Sequence, residues 1–192
     1  MKNIVIINGH PDKKSYNSAL AQTYYDGAKQ GSPAVKILNI ADFDFNPNLQ
    51  FGYRQRTKLE PDLLNAIDLI KKADHIVWVF PMWWSGLPAI LKGFIDRTFL
   101  PGITYQPVEN KNVPEKLLKG KTARIIMTSD SPKWYDRYFN GRPAINQLKQ
   151  GTLKFCGIKS VKVTYIATIK NSSQEFRSKW LNRVLELGKN LK

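Results

Sequence analysis

Three short stretches of this chain carry the residues from which a site could be built. The first is Gly9-His10-Pro11-Asp12-Lys13-Lys14 followed by Ser15-Tyr16-Asn17. Ser15, Tyr16 and Asn17 open a helical pattern, so unpaired backbone N–H groups and the helix dipole gather there, an arrangement that suits an anion such as a phosphate. The hydroxyl of Ser15, the amide of Asn17 and the imidazole of His10 could add hydrogen bonds. The competing reading of the same residues is a well-capped helix with no ligand. The second stretch is Pro81-Met82-Trp83-Trp84-Ser85-Gly86-Leu87-Pro88. Two adjacent indoles in a proline-bounded loop offer stacking surface to a flat heteroaromatic ring, worth about 1 kcal/mol per pair beyond burial. They could equally pack in the core or between two copies. The third is Thr128-Ser129-Asp130-Ser131, then Trp134 and Tyr135. Its hydroxyls could hold a ring's polar edge, and Tyr135 could donate a proton; a surface turn with aromatic packing is the alternative.

These stretches need elements to position them. Ile4 to Ile7 is a continuous apolar run, as in a strand covered on both faces. Ser15 to about Gln30 reads as a helix capped by Ser15 or Asp12. Val35 to Ile40 partly alternates and reads as a strand nearer an edge. Asp42 to Thr57 has no period and reads as a loop. Pro61 opens a helix with Leu63, Leu64, Ile67 and Ile70 on one face. His75 to Phe80 is a third strand, and Pro88 to Phe99 a helix with a clear apolar stripe. Ile103 to Gly120 reads as a polar, hairpin-like excursion. Thr122 to Thr128 is a fourth strand, followed by an aromatic loop over 129–135 and a helix from about Pro143 to Phe155. Val161 to Ile166 alternates like an edge strand, and Ser173 to Leu187 forms the last helix.

Strands and helices alternate five times, which predicts an α/β fold with a parallel sheet and helices on both faces. Strands one and three are the most apolar and belong in the centre; strands two and five belong at edges. The order 2-1-3-4-5 satisfies this. It places a switch point between strands one and three, where ligands of open α/β sheets bind. The three stretches above meet there. No repeat or linker divides the chain, so residues 1–192 are expected to form a single domain.

Composition narrows the class. Hydrophobic residues make up 42% of the 192 residues, and a single cysteine, Cys156, excludes an intrachain disulfide and a Cys-cluster metal site. No metal is expected. Apolar runs are too short for a signal peptide or a bilayer span, which predicts a soluble cytoplasmic protein without membrane insertion. The net charge is +15. Such a charge suits nucleic acid or an anionic membrane, yet no nucleic-acid motif accompanies it; no nucleic-acid partner is expected, and a basic surface also attracts anionic cofactors. There is no three-glycine dinucleotide fingerprint, P-loop, Gly-x-Ser-x-Gly, His-Glu-x-x-His or Cys-x-x-Cys. His75 begins a strand and reads as structural.

The segment from Phe80 to Arg97, together with Gly9-His10-Pro11, Ser15-Tyr16-Asn17 and Phe155-Cys156-Gly157-Ile158, resembles the NAD(P)H:quinone oxidoreductase family of flavodoxin-like flavoproteins. That family also includes ancillary subunits of potassium efflux systems. The resemblance implies a flavin, FMN or FAD, held at its phosphate by Ser15, Tyr16 and Asn17 and at its ring by Pro81, Met82, Trp83 and Trp84. It implies a homodimer with sites at the interface. It also implies two-electron, ping-pong hydride transfer from NAD(P)H through the flavin to a quinone or similar flat acceptor. A regulatory flavoprotein subunit docking on a partner is the alternative; a one-electron carrier is disfavoured, since such carriers are usually acidic. One departure stands out. Better-known members carry Thr-Thr-Gly-Gly where this chain has Thr128-Ser129-Asp130-Ser131. The glycines allow close backbone approach to the flavin, and Asp130 beside a reduced, anionic flavin would be unfavourable unless it points away. No residue matches the family's catalytic histidine, leaving Tyr135 as the candidate for proton transfer.

Overall fold

The computed structural model describes residues 2–191. Five parallel strands form the central sheet: β1 (Ile4–Asn8), β2 (Val35–Asn39), β3 (His75–Pro81), β6 (Thr122–Thr128) and β7 (Ser160–Ile166), in the order β2-β1-β3-β6-β7. This is the predicted 2-1-3-4-5 order. All residues of β1 and β3 are buried, as their unbroken apolar runs require, while β2 alternates at its edge. The excursion that precedes β6 is a two-stranded antiparallel ribbon, β4 (Tyr105–Gln106) with β5 (Glu115–Lys116).

Helices α1 (Tyr16–Gly31) and α6 (Gln174–Lys189) cover one face of the sheet. On the other lie α2 (Pro61–Lys72), α3 (Ala89–Thr98) and the helical segment after residue 143. Trp78 anchors that second face, with its ring centroid 5.8 Å from Phe99 and 6.5 Å from Phe94. Truncating so large a buried ring would cost about 3–5 kcal/mol. The α1–α6 contact depends on Gly27 and Gly188: a Cβ on Gly27 would lie 2.2 Å from the Leu185 carbonyl oxygen, and one on Gly188 would lie 2.4 Å from that of Tyr24. Side chains there would force the two backbones apart.

Two segments differ from the sequence expectation. The aromatic loop predicted over 129–135 is shorter, because Lys133–Tyr138 forms a helix, α4, so Trp134 and Tyr135 lie in its first turn. Pro132 precedes it in an extended conformation that suits a helix start. Six residues are too few to display a helical period, which is why the segment reads as a loop. The helix predicted from Pro143 begins as α5 (Pro143–Asn146) and continues with π-helical bonding over Gln147–Lys154. There Thr152 Oγ1 donates to the Gln147 carbonyl at 3.0 Å, five residues back. An apolar pattern cannot reveal that one-residue change in hydrogen bonding.

The predicted loop after Asp42 holds, with a short 3-10 turn (Ile40–Asp42) just before it. Arg97 of α3, wholly buried, anchors this loop by donating to the carbonyls of Asn46 and Lys58 (2.8 Å) and to Glu60 (2.7 Å). Removing the arginine would strand a partly buried carboxylate and free the loop.

Candidate active site

The site lies where β1, β3 and β6 end. Gly9 leaves β1 with its N–H on the Val79 carbonyl at 2.8 Å. Asn8, buried, donates to Ser18 Oγ (3.0 Å) and Asn39 Oδ1 (3.1 Å), while its own Oδ1 accepts the His10 N–H. These bonds hold the first loop in a fixed shape. Asp12 Oδ1 accepts the Lys14 N–H, and Ser15 caps α1 by accepting from Ser18 N at 3.2 Å. The capped-helix reading of Ser15 is therefore correct as far as its side chain goes. It leaves a 16-residue helix whose first turn holds no acid to oppose the positive end of its dipole.

The predicted residues of this loop part company. Tyr16 turns its hydroxyl to the Arg177 carbonyl (2.8 Å), with the Arg177 guanidinium 5.8 Å from its ring. Burial raises the phenol pKa to about 12, so it remains a neutral donor. Asn17 is buried, and its Nδ2 donates to Thr128 Oγ1 at 2.9 Å, tying the first loop to the third. His10 Nδ1 accepts the Asp12 N–H at 2.9 Å. Burial lowers its pKa, against the pull of Asp12. The ring is thus held neutral with its proton on Nε2, a hydrogen-bond donor. It meets Trp83 edge-on at 5.4 Å, tying the first loop to the second.

In the second loop Pro81 is the buried last residue of β3, and Met82 packs against the core while its N–H donates to the Thr128 carbonyl at 2.8 Å. Trp83 and Gly86 then exchange both backbone hydrogen bonds, at 3.1 and 2.8 Å. The two residues between them, Trp84 and Ser85, are both left-handed, with φ of 49° and 58°. This is a type I′ turn, whose inner positions favour Asn and Gly. Here it holds a tryptophan, at about 1–2 kcal/mol of strain per residue. Trp83 is 44% exposed, and Trp84 is fully exposed.

In the third loop Thr128 and Ser129 are buried. Ser129 bonds through its backbone to Ile166 and Ile169 and accepts the Ser131 N–H on its hydroxyl at 2.9 Å. Asp130 directs its carboxylate to the Lys170 N–H at 2.8 Å, on the connection between β7 and α6. Tyr135 stands 42% exposed on α4, stacked on Phe139 at 5.4 Å.

Several participants carried no sequence signal. Asn8 shapes the first loop from inside a strand. Asn140 reaches from the end of α4 to Ser85 Oγ at 3.4 Å. Asp136, also on α4, is fully buried, and neither carboxylate oxygen has a hydrogen-bond partner among the described residues. Burial raises its pKa, opposed by the positive charge of Arg142. Its position in a six-residue helix gave no periodicity from which burial could be inferred. His75, by contrast, sits at the opposite end of β3, between Tyr24 (3.2 Å) and Thr122 (2.7 Å), as its structural reading predicts.

A family profile described as flavodoxin-like fold matches residues 2–187. An NAD(P)H oxidoreductase from Haemophilus influenzae, itself named as uncharacterized, is 30% identical over 165 residues, covering 83% of this chain and 81% of its own length. The chain belongs to the NAD(P)H:quinone oxidoreductase family of flavodoxin-like proteins. As a member of that family it is an oxidoreductase. An FMN-dependent NADH:quinone oxidoreductase 2 from Listeria innocua is 30% identical over 188 residues, covering 86% of each chain. The crystal structure of Smu.1420 from Streptococcus mutans superposes with a TM-score of 0.85 at 33% identity, covering 98% of this chain and 99% of the other.

Proposed function

We propose that the protein binds a flavin, FMN or FAD, in the cleft between its three loops and uses it to move a hydride from NAD(P)H to a quinone or similar flat acceptor. The observation that carries this is the convergence of an unopposed helix N-terminus and an exposed indole wall on one cleft, locked together by the His10–Trp83, Asn17–Thr128 and Met82–Thr128 contacts. The residues present fit the group: the α1 terminus suits its phosphate, and Trp83 and Trp84 suit its ring. When bound, the flavin would supply the two-electron redox chemistry of a ping-pong exchange between NAD(P)H and the acceptor.

The chain's own contribution is placement and electrostatics. The first-turn N–H groups of α1, with Ser15 and Asn17 beside them, hold the phosphate. His10 offers a neutral Nε2–H, adding a donor without adding charge. Pro81 to Trp84 form the wall on which the ring lies, and Thr128 and Ser129 border its polar edge. The Asp130 carboxylate is engaged by the Lys170 backbone N–H. Tyr135, half exposed, is the proton donor to the acceptor. Trp84 projects fully into solvent beside the three loops, where a second copy of the chain would cover it; we propose a homodimer on that ground.

The test is anaerobic addition of NADH or NADPH to flavin-loaded protein. Bleaching of the flavin band, followed by recovery on adding a benzoquinone or naphthoquinone, is expected. A protein that takes up neither FMN nor FAD would contradict the proposal, as would bleaching with no recovery on any quinone, nitro or azo acceptor.

A further inference from the structure

The long loop that Arg97 anchors meets the C-terminal end of α3, and a pocket of about 180 Å³ lies between them. Leu49, Leu100 and Pro101 supply apolar walls, and no lining residue is acidic. Arg97 also lines the pocket and is fully buried. Its terminal N–H groups are committed to the Asn46 and Lys58 carbonyls and to both oxygens of Glu60. The Nε–H is not: it is buried and has no hydrogen-bond partner among the described residues. Thr57 Oγ1, in the same lining, is likewise buried and without a partner among them. Arg56 lines the exposed side, where its guanidinium donates to the Pro101 carbonyl at 3.2 Å. The three-loop cleft is elsewhere. α3 begins beside that cleft, where a Cβ on Gly9 would lie 2.7 Å from Leu91 Cδ2. Arg97 is about 9 Å further along the helix axis.

We propose that this pocket is a second ligand site, which takes a small carboxylate carried on a single apolar ring, of the benzoate class. The two oxygens of a carboxylate match the two groups left over: one accepts the Arg97 Nε–H and the other accepts the Thr57 hydroxyl proton. A buried donor without an acceptor is costly, and a bound acceptor removes that cost. The charge of the ligand is met by Arg56, because Glu60 already neutralises Arg97. The size is set by the walls: an apolar cavity of about 150 Å³ holds one benzene molecule, so this one holds one ring and not two. A water molecule would satisfy the polar pair but would leave Leu49, Leu100 and Pro101 facing a space that apolar walls do not favour filling with water. A phosphate would find two donors for three oxygens and no use for those walls. The site needs neither the flavin nor a second copy of the chain, and it stands apart from the reaction proposed above.

Titration of the full chain with sodium benzoate at constant ionic strength, followed by the ligand's NMR signals and by flavin absorbance, tests the site. Saturation at about one benzoate per chain is expected, with the same affinity in flavin-loaded and flavin-free protein and no change in the flavin spectrum. Benzyl alcohol, which keeps the ring and loses the charge, should bind about tenfold more weakly. Thr57→Val, nearly isosteric, should lower benzoate affinity about fivefold, and Arg56→Gln about threefold. Leu49→Trp should abolish binding by filling the space; thermal unfolding shows whether its fold is retained, and Thr57→Val carries the test if it is not. Four results would overturn the inference: no benzoate binding, which would leave the two polar groups to water; full affinity in Thr57→Val; equal affinity for benzyl alcohol; or binding that shifts the flavin spectrum and falls in Trp83→Ala, which would put the benzoate in the three-loop cleft. Failure of the chain to take up flavin would leave this test untouched.

Discussion

Asn17 and Thr128 are 111 residues apart and share a buried hydrogen bond, Asn17 Nδ2 donating to Thr128 Oγ1 at 2.9 Å. The bond fastens the N-terminus of α1 to the end of β6, so the proposed phosphate end and ring edge of the cleft move as one body. Both partners are buried, and deleting either strands the other.

Asn17→Ala should therefore lower stability by about 1–3 kcal/mol, the cost of an unpaired buried polar group. Asn17→Ala/Thr128→Val should cost less than the sum of the single changes. Denaturant unfolding of the four proteins measures the coupling. Strictly additive losses would show that the two loops are held independently.

The turn at Trp84–Ser85 makes an opposite prediction. Ser85 is left-handed at φ 58°, and its hydroxyl gains only a 3.4 Å contact from Asn140. Ser85→Gly should raise stability by about 1 kcal/mol by relieving that strain, since so long a contact offsets little. A thermal midpoint that falls on this substitution would mean that the Asn140 contact outweighs the backbone strain.

How much of this was legible in the residues follows from the physics of each part. The central strands were, because burial on both faces leaves an unbroken apolar run in Ile4 to Ile7 and Ile76 to Phe80. The edges were, because β2 and β7 alternate. Helix α4 was not, being too short for a period, and with it Asp136 was missed. The Trp84–Ser85 turn was hidden because neither residue is a usual type I′ occupant. The direction of Asp130 was equally hidden: its partner, Lys170, contributes a backbone N–H, which every non-proline residue has. In the first loop the engagements of the side chains were not readable. The Tyr16 hydroxyl goes to α6 and the Asn17 amide to β6, leaving backbone N–H groups as the exposed donors.

The pH dependence of stability should carry the mark of His75. Burial, with repulsion from Arg124, Lys2 and Lys162, lowers its pKa to about 4. Between that value and about 6.5 the unfolded chain binds the proton and the folded chain does not, so stability rises with pH across this window and is lost as pH falls through it. The loss amounts to about 3 kcal/mol once pH is below 4. Urea unfolding of the parent and His75→Gln between pH 4 and 7.5 should give a difference in slope confined to that window. Parallel slopes would mean that His75 titrates normally in the fold.

The central claim is that the three-loop cleft holds a flavin against Trp83 and Trp84. Titrating flavin-free protein with FMN and then with FAD, following quenching of flavin or tryptophan fluorescence, tests it most directly. Saturation at about one flavin per chain is expected for at least one of the two. Trp83→Ala should weaken that binding about tenfold, the loss of one stacked aromatic partner, while Trp180→Phe, on α6, should leave it unchanged. Failure of both flavins to bind, or equal affinity in the parent and Trp83→Ala, would contradict the account.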